Sequence, residues 1–292
     1  MKGLLMNSPH PLVTDLHNTQ RRFDAEAKIA TVTTPRYRLE YATWGNPTHR
    51  PIVLVHGLCD QKRSFCLLMN QLVDAGFWCV SYELADGWND GANLDQYQHP
   101  HYAEDLIALL DHLKIDTTDI MGSSFGSTVT LRSIATYPQR FRRAVLQGGF
   151  ARRPLTRVER GLAKVGRNWP WRMGQLPIRK RVMGKLEAHQ FEGCPPEVFQ
   201  FLIHCSGGTP IRCAARRALI LDQLDLRPML GTITQPLLMI GGNIDTIVPR
   251  NWEAEVEAGV KDVRRIEFQP CGHYPQYTMP TPMAAAMSEF LR

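Results

Sequence analysis

The stretch Ile120-Met121-Gly122-Ser123-Ser124-Phe125-Gly126-Ser127 constrains the fold more than any other. An apolar run leads into it, and a helix-like run over residues 128–137 leads out. A Gly-x-Ser-x-Gly pattern between strand and helix is a turn tight enough to strain its central residue. Gly122 and Gly126 lack a Cβ, so the strand and the helix can close on each other. Ser124 is then raised at the end of a strand. The N–H of Phe125 opens the helix and points where negative charge on a bound oxygen would form. Taken alone, the five residues are equally an ordinary Gly/Ser loop, so their surroundings decide.

Those surroundings alternate between strand and helix. Residues 29–44 alternate apolar and polar up to Asn46-Pro47, which predicts two antiparallel strands. Residues 51–55 form a continuous apolar run, as in a strand buried on both faces of a parallel sheet. His56-Gly57-Leu58-Cys59-Asp60 follows as a loop. A helix is expected over 64–75, a strand over 78–82, a helix over 102–113 and a strand over 143–149. The rhythm resumes with a strand over 236–242, a helix over 252–260, a strand over 263–268 and a closing helix over 282–291. This is the pattern of a doubly wound, mostly parallel sheet. Residues 151–226 break it. Strand-like runs disappear, and short helical runs are interrupted by prolines and by Gly207-Gly208. We read this segment as an inserted helical cap that would exclude water and shape a pocket. The organisation is then a polar leader over 1–25, a first core part over 26–150, the cap over 151–226 and a second core part over 227–292.

At 292 residues the chain is still within reach of one α/β domain, and its 43% hydrophobic content supplies a sizeable core. Charged residues make up 21%, which argues against disorder. No apolar run is long enough for a membrane-spanning helix, and the apolar start of the chain is too short for a signal peptide. The 7 cysteines are unevenly spaced, without a Cys-x-x-Cys pair. They read as small buried hydrophobes in a reducing compartment, hence a cytoplasmic protein. His204-Cys205 near Cys213 is read as structural rather than metal-binding.

Two further sites sit at loops after strands: Asp245, with Val248-Pro249 behind it, and His273 after Gly272, before the closing helix. With His56-Gly57 and the Gly122–Gly126 pattern, in this order, the chain resembles the α/β-hydrolase fold family, in its capped, serine-nucleophile branch. The resemblance covers residues 29–292. It implies an α/β-hydrolase fold: a mostly parallel sheet flanked by helices, with an inserted helical cap. It also implies Ser124 as nucleophile, His273 as general base and acid, and Asp245 holding the imidazole. The backbone N–H groups of Leu58 and Phe125 would form the oxyanion hole. His56, Gly57, Gly122 and Gly126 would shape the loops around it. Ser123 is expected as a hydrogen-bonding spacer and Gln276 as an exposed loop cap.

The implied reaction is cleavage of carboxylic esters or related acyl compounds through an acyl-enzyme, with no metal or organic cofactor. Serine at 124, in place of aspartate, disfavours a dehalogenase or an epoxide hydrolase. Lactonase, C–C bond hydrolase and aminopeptidase chemistry remain alternatives. A relative that binds ligand without turning it over is a further one. Gly126-Ser127-Thr128 and Leu146 to Phe150 are similar to proline iminopeptidases, but their Gly-Gly-Pro-Gly loop is absent at Leu58-Cys59-Asp60. Glu83-Leu84-Ala85-Asp86-Gly87 also departs from the family's usual Asp-x-Arg-Gly.

Formal net charge is +6. The cap is its main source, with Lys and Arg from Arg152 to Arg217 outnumbering Glu159, Glu187, Glu192 and Glu197. A solvated helix surface is the first account. Arginines facing the pocket and binding an anionic small-molecule acyl substrate are the second. Contact with an anionic membrane surface is the third and least favoured. Trp169-Pro170-Trp171 fits either surface docking or a packed cap core. No recognisable module supports nucleic-acid binding.

Overall fold

A computed structural model describes residues 11–177, 179, 184 and 187–292. One eight-stranded sheet organises the chain, in the order β1-β2-β4-β3-β5-β6-β7-β8. The strands are β1 (Lys28–Thr33), β2 (Arg38–Trp44), β3 (Arg50–Val55), β4 (Phe77–Tyr82), β5 (Thr118–Ser123), β6 (Phe141–Gln147), β7 (Leu237–Gly242) and β8 (Val263–Phe268). β1–β2 and β2–β4 pair antiparallel, and every other pair is parallel. The expected antiparallel entry and parallel body are both present.

Why β3 and β7 read as apolar runs is visible in their packing. Along β3, Val53 and Val55 enter one core cluster while Ile52 and Leu54 enter the other. β7 does the same, Leu237 and Met239 on one face, Leu238 and Ile240 on the other. Period-two alternation with both faces covered makes residues 52–55 and 237–240 apolar on each side. One face is covered by α3 (His99–His112), α4 (Phe125–Thr136) and α9 (Arg250–Gly259). The other carries α2 (Cys66–Asp74) and α10 (Pro280–Leu291).

Residues 1–10 of the expected leader lie outside the described residues. The remainder corrects the expectation of a polar leader: Pro11–Glu26 is a helix, α1. Leu16 and Phe23 are buried in the core cluster that also holds α2. Phe23 meets Trp44 edge-on, with ring centroids 5.5 Å apart. Trp44 Nε1 donates to Glu26 at 3.0 Å. Few apolar residues are needed for one narrow stripe, so a largely polar sequence still docks.

Between β6 and β7 no strand forms among the described residues. The segment holds α5 (Arg157–Gly166), α6 (Pro196–Gly207), α7 (Ile211–Gln223) and α8 (Arg227–Leu230). Proline at the first turn starts α6, where its missing N–H costs nothing. Val198, Phe201, Leu202 and Cys205 of α6 join the sheet's own core. α5 packs on α7 instead, through Ala163 and Ala215. No helix among the described residues is long and apolar enough to cross a membrane.

Candidate active site

All the proposed site residues stand at the carboxyl ends of β3, β5, β7 and β8, where open parallel sheets place their ligand crevices. Ser124 lies between β5 and α4 at φ 52°, ψ −116°, a conformation a non-glycine residue rarely adopts. The crossing is close: a Cβ on Gly126 would sit 2.1 Å from the Val55 carbonyl oxygen, and one on Gly122 would sit 2.3 Å from that of Gly126. The helix starts directly at Phe125, earlier than the expected residue 128.

The loop after β3 lies against this turn, the Cβ position of Gly57 being 3.6 Å from Ser124 Cβ. His56 shapes that loop. Its Nδ1–H donates to the Gly57 carbonyl at 2.8 Å, and its Nε2 accepts the Leu84 N–H at 3.1 Å. Only the neutral ring can make both bonds at once. Burial, then the nearby Arg217 guanidinium, pushes its pKa down to about 3. Arg217 of α7 donates to the carbonyl oxygens of Leu58 (2.8 Å), Leu84 (2.9 Å) and Ala85 (3.1 Å). The Leu58 carbonyl is thereby pinned. Neither the Leu58 N–H nor the Phe125 N–H has a hydrogen-bond partner among the described residues.

His273 Nδ1 meets Asp245 Oδ2 at 2.7 Å, with both side chains 4% exposed. The other carboxylate oxygen accepts the N–H groups of Ile247 (2.8 Å) and Val248 (2.9 Å). Burial works to raise the Asp245 pKa. The imidazole of His273 and these two N–H groups outweigh it and hold the carboxylate below its usual range. The carboxylate fixes Nδ1 as the protonated nitrogen, leaving the Nε2 lone pair free.

Ser124 and His273 line one cavity of about 950 Å³ together with Leu58, which the helical segment roofs. No hydrogen bond joins the Ser124 hydroxyl to His273. Such contacts are often long without substrate and tighten in the complex. The structure therefore brings Ser124, His273 and Leu58 to one cavity, with Asp245 behind His273 and Phe125 behind Ser124.

Several residues that hold this arrangement were not singled out from the sequence. The Gln147 backbone carbonyl accepts the Ser124 N–H at 2.9 Å. Its side chain accepts from the Ser123 hydroxyl and donates to the His273 carbonyl at 2.7 Å. Ser123 is thus a spacer that hydrogen-bonds, as expected. Gln190, from the helical segment, accepts the His273 N–H at 2.7 Å and donates to Thr246 Oγ1 at 2.7 Å. A polar residue closing an apolar strand was the available signal for Gln147. None existed for Gln190 or Arg217, whose partners are far away in sequence.

Gln276 corrects an expectation. It is 1% exposed, lines the cavity and has a side-chain oxygen with no hydrogen-bond partner among the described residues. Asp60 also lines the cavity; burial raises its pKa to about 6 against hydrogen bonds from Ser64 and Tyr277. Of the basic residues expected over 151–226, Arg153 and Arg179 line the cavity, while Lys180, Arg181 and Lys185 lie outside the described residues. Arg153 is paired with Glu159 at 2.8 Å. Arg179 is held by the Ile203 carbonyl at 2.9 Å and by the Ser206 hydroxyl. All 7 cysteines are free.

Residues 52–286 match the family model described as the alpha/beta hydrolase family. The chain belongs to that family. Similar proteins include a 3-hydroxybutyrate-oligomer hydrolase of Cupriavidus necator, 24% identical, over 87% of this chain and 93% of the relative. A 2-hydroxy-6-oxo-6-phenylhexa-2,4-dienoate hydrolase of Comamonas testosteroni is 25% identical, over 75% of this chain and 79% of its own. Among solved structures, the enol-lactonase from Burkholderia xenovorans LB400 superposes with a TM-score of 0.79 at 20% identity, covering 90% of this chain and 99% of the other. Two of these relatives are named hydrolases and the third an enol-lactonase.

Proposed function

We propose that this protein is a serine hydrolase of carboxylic esters or related acyl compounds. The observation that carries it is the desolvated His273–Asp245 pair opening onto the same cavity as the strained Ser124. Ser124 Oγ attacks the acyl carbon while His273 Nε2 takes its proton. Negative charge collects on the carbonyl oxygen, near the N–H groups of Leu58 and Phe125, which have no other partner to lose. The bond to the leaving alcohol breaks as His273 returns the proton to it. Water then attacks the acyl-enzyme with His273 as base, releasing the acid and restoring the Ser124 hydroxyl. Asp245 holds the ring and stabilises the imidazolium through both steps. The residues roofing the cavity are mostly apolar, which suits an apolar acyl group. Free cysteines throughout support a cytoplasmic setting.

The test is hydrolysis of p-nitrophenyl acetate and butyrate. Wild type is expected to turn both over, and Ser124→Ala to lose more than about a thousandfold in rate. A folded wild type without turnover would favour the ligand-binding alternative. Lactone or diketone turnover well above ester turnover would move the assignment to those substrates.

A further inference from the structure

We infer that α5 and the Trp169–Trp171 turn dock the mouth of the cavity onto an anionic lipid surface, so that the acyl chain enters from the bilayer. For the substrate this rests on the proposed function; for docking it does not.

The large apolar side chains that are exposed among the described residues are Ile29 and a single cluster. Val158 is 72% exposed, Leu162 69%, Val165 64%, Trp169 38% and Trp171 43%. Val158, Leu162 and Val165 fall at i, i+4 and i+7, one stripe along α5. The helix does not use this stripe to hold its place. Its small-residue flank does: a Cβ on Gly166 would lie 3.1 Å from Ala215 Cβ of α7, and Ala163 is buried beside it. The largest apolar residues are therefore left outside the packing. Exposing that area to water is unfavourable unless something covers it.

Charge selects what covers it. Arg157 and Lys164 lie on one flank of the stripe and Arg167 at the end of α5; all three are exposed and make no ion pair among the described residues. Apolar stripe, basic face and paired tryptophans are the composition of a helix lying in a lipid interface. Trp169 and Trp171 meet edge-on at 5.7 Å, at the exit of the helix. They do not form a packed core for the segment. Closure over the cavity does not account for the stripe, because Val158 and Trp171 stand outside the cavity lining. Leu162, Val165 and Trp169 belong to both, so the docked face and the entrance coincide. An acyl chain could pass from bilayer to cavity without crossing water.

The test uses the full chain carrying Ser124→Ala, so that no lipid is consumed, and co-sedimentation with phosphatidylcholine vesicles with and without phosphatidylglycerol. Binding to the anionic vesicles is expected, falling at about 0.5 M salt as the charges are screened. Adding Val158→Glu and Trp171→Glu is expected to lower the partition coefficient by about tenfold or more. In the Ser124 background, the same two changes are expected to leave short-chain ester turnover and melting temperature unchanged. No binding to anionic vesicles by folded protein would overturn the inference. So would binding that the double change does not reduce. A dimer of the unaltered chain that the double change dissociates would overturn it in favour of a second copy covering the stripe. Failure of the serine mechanism would leave vesicle binding intact, so the two are separable.

Discussion

The imidazole of His273 is fixed from several directions, and only one of them is the carboxylate. Asp245 holds Nδ1, Gln190 its backbone N–H and Gln147 its backbone carbonyl. Gly148 gives the ring its room: a Cβ there would lie 2.7 Å from Cε1. Replacing Gln147 by leucine removes the bond to the His273 carbonyl and leaves the Ser123 hydroxyl buried without its acceptor. The expected cost is about 1–3 kcal/mol of stability, together with a fall in kcat larger than any rise in KM. Urea melts alongside ester kinetics check both; an unaltered kcat would remove Gln147 from the positioning role. At this scale the sequence was legible where one residue type is required by local geometry, as at Gly122 and Gly126 on either side of Ser124. It was not legible at Gln190, whose bond to His273 exists only once the helical segment has folded back over the sheet. Gln276 was misread for the same reason: loop position alone says nothing about burial.

Among the elements, α7 and α1 matter most beyond the sheet. α7 is tied to the loop after β3 through Arg217, which satisfies three carbonyl oxygens with one planar guanidinium. Arg217→Met would leave the Leu58 and Leu84 carbonyls unpaired, leave that of Ala85 with only the weak Cys213 thiol donor, and release the Leu58 peptide. We expect a loss of about 2–4 kcal/mol in stability and a drop in kcat. Arg217→Lys should recover only part of each, because an ammonium lacks the fork geometry. Equal stability of the methionine variant by chemical denaturation would contradict the assignment. α1 belongs to the core rather than to the site. Phe23→Ala is expected to cost about 3 kcal/mol by denaturant titration with kcat unchanged. The parallel strands β3 and β7 could be read from their apolar runs, since both of their faces are buried. α1 could not, because its apolar stripe is narrow and most of its residues are polar. In the helical segment, the breaks at proline and glycine were readable. The outward direction of Val158, Leu162 and Val165 was not, as spacing fixes a stripe but not which side is packed.

For the whole molecule, buried titratable groups set the response to acid. His56 and His99 are both pushed down to about 3, by burial first and by a neighbouring arginine after it. Arg132 donates to His99 Nδ1 at 3.2 Å, so that nitrogen cannot also carry a proton. Between pH 6.5 and 3 the unfolded chain binds protons at both histidines that the folded chain refuses. Stability therefore falls as pH drops through this window, by up to about 2.7 kcal/mol per pH unit from the pair. Asp60 acts in the opposite sense. Its folded pKa of about 6 lies above the ordinary carboxylate value, so between pH 4 and 6 the folded chain holds the extra proton. Asp60→Asn should steepen the acid-side loss between pH 6 and 4 and leave the slope above pH 7 unchanged. Melting temperatures across that range are the check, and parallel curves would show that Asp60 does not hold its proton in this way. The central claim concerns the reactivity that this scaffold gives to a single hydroxyl. Its most direct measurement is the intact mass of the protein after treatment with a fluorophosphonate, followed by peptide mapping. One adduct per chain on Ser124 is expected, lost in Ser124→Ala and slowed strongly in His273→Ala. A folded chain that takes up no adduct, or takes it up on another residue, would contradict the account.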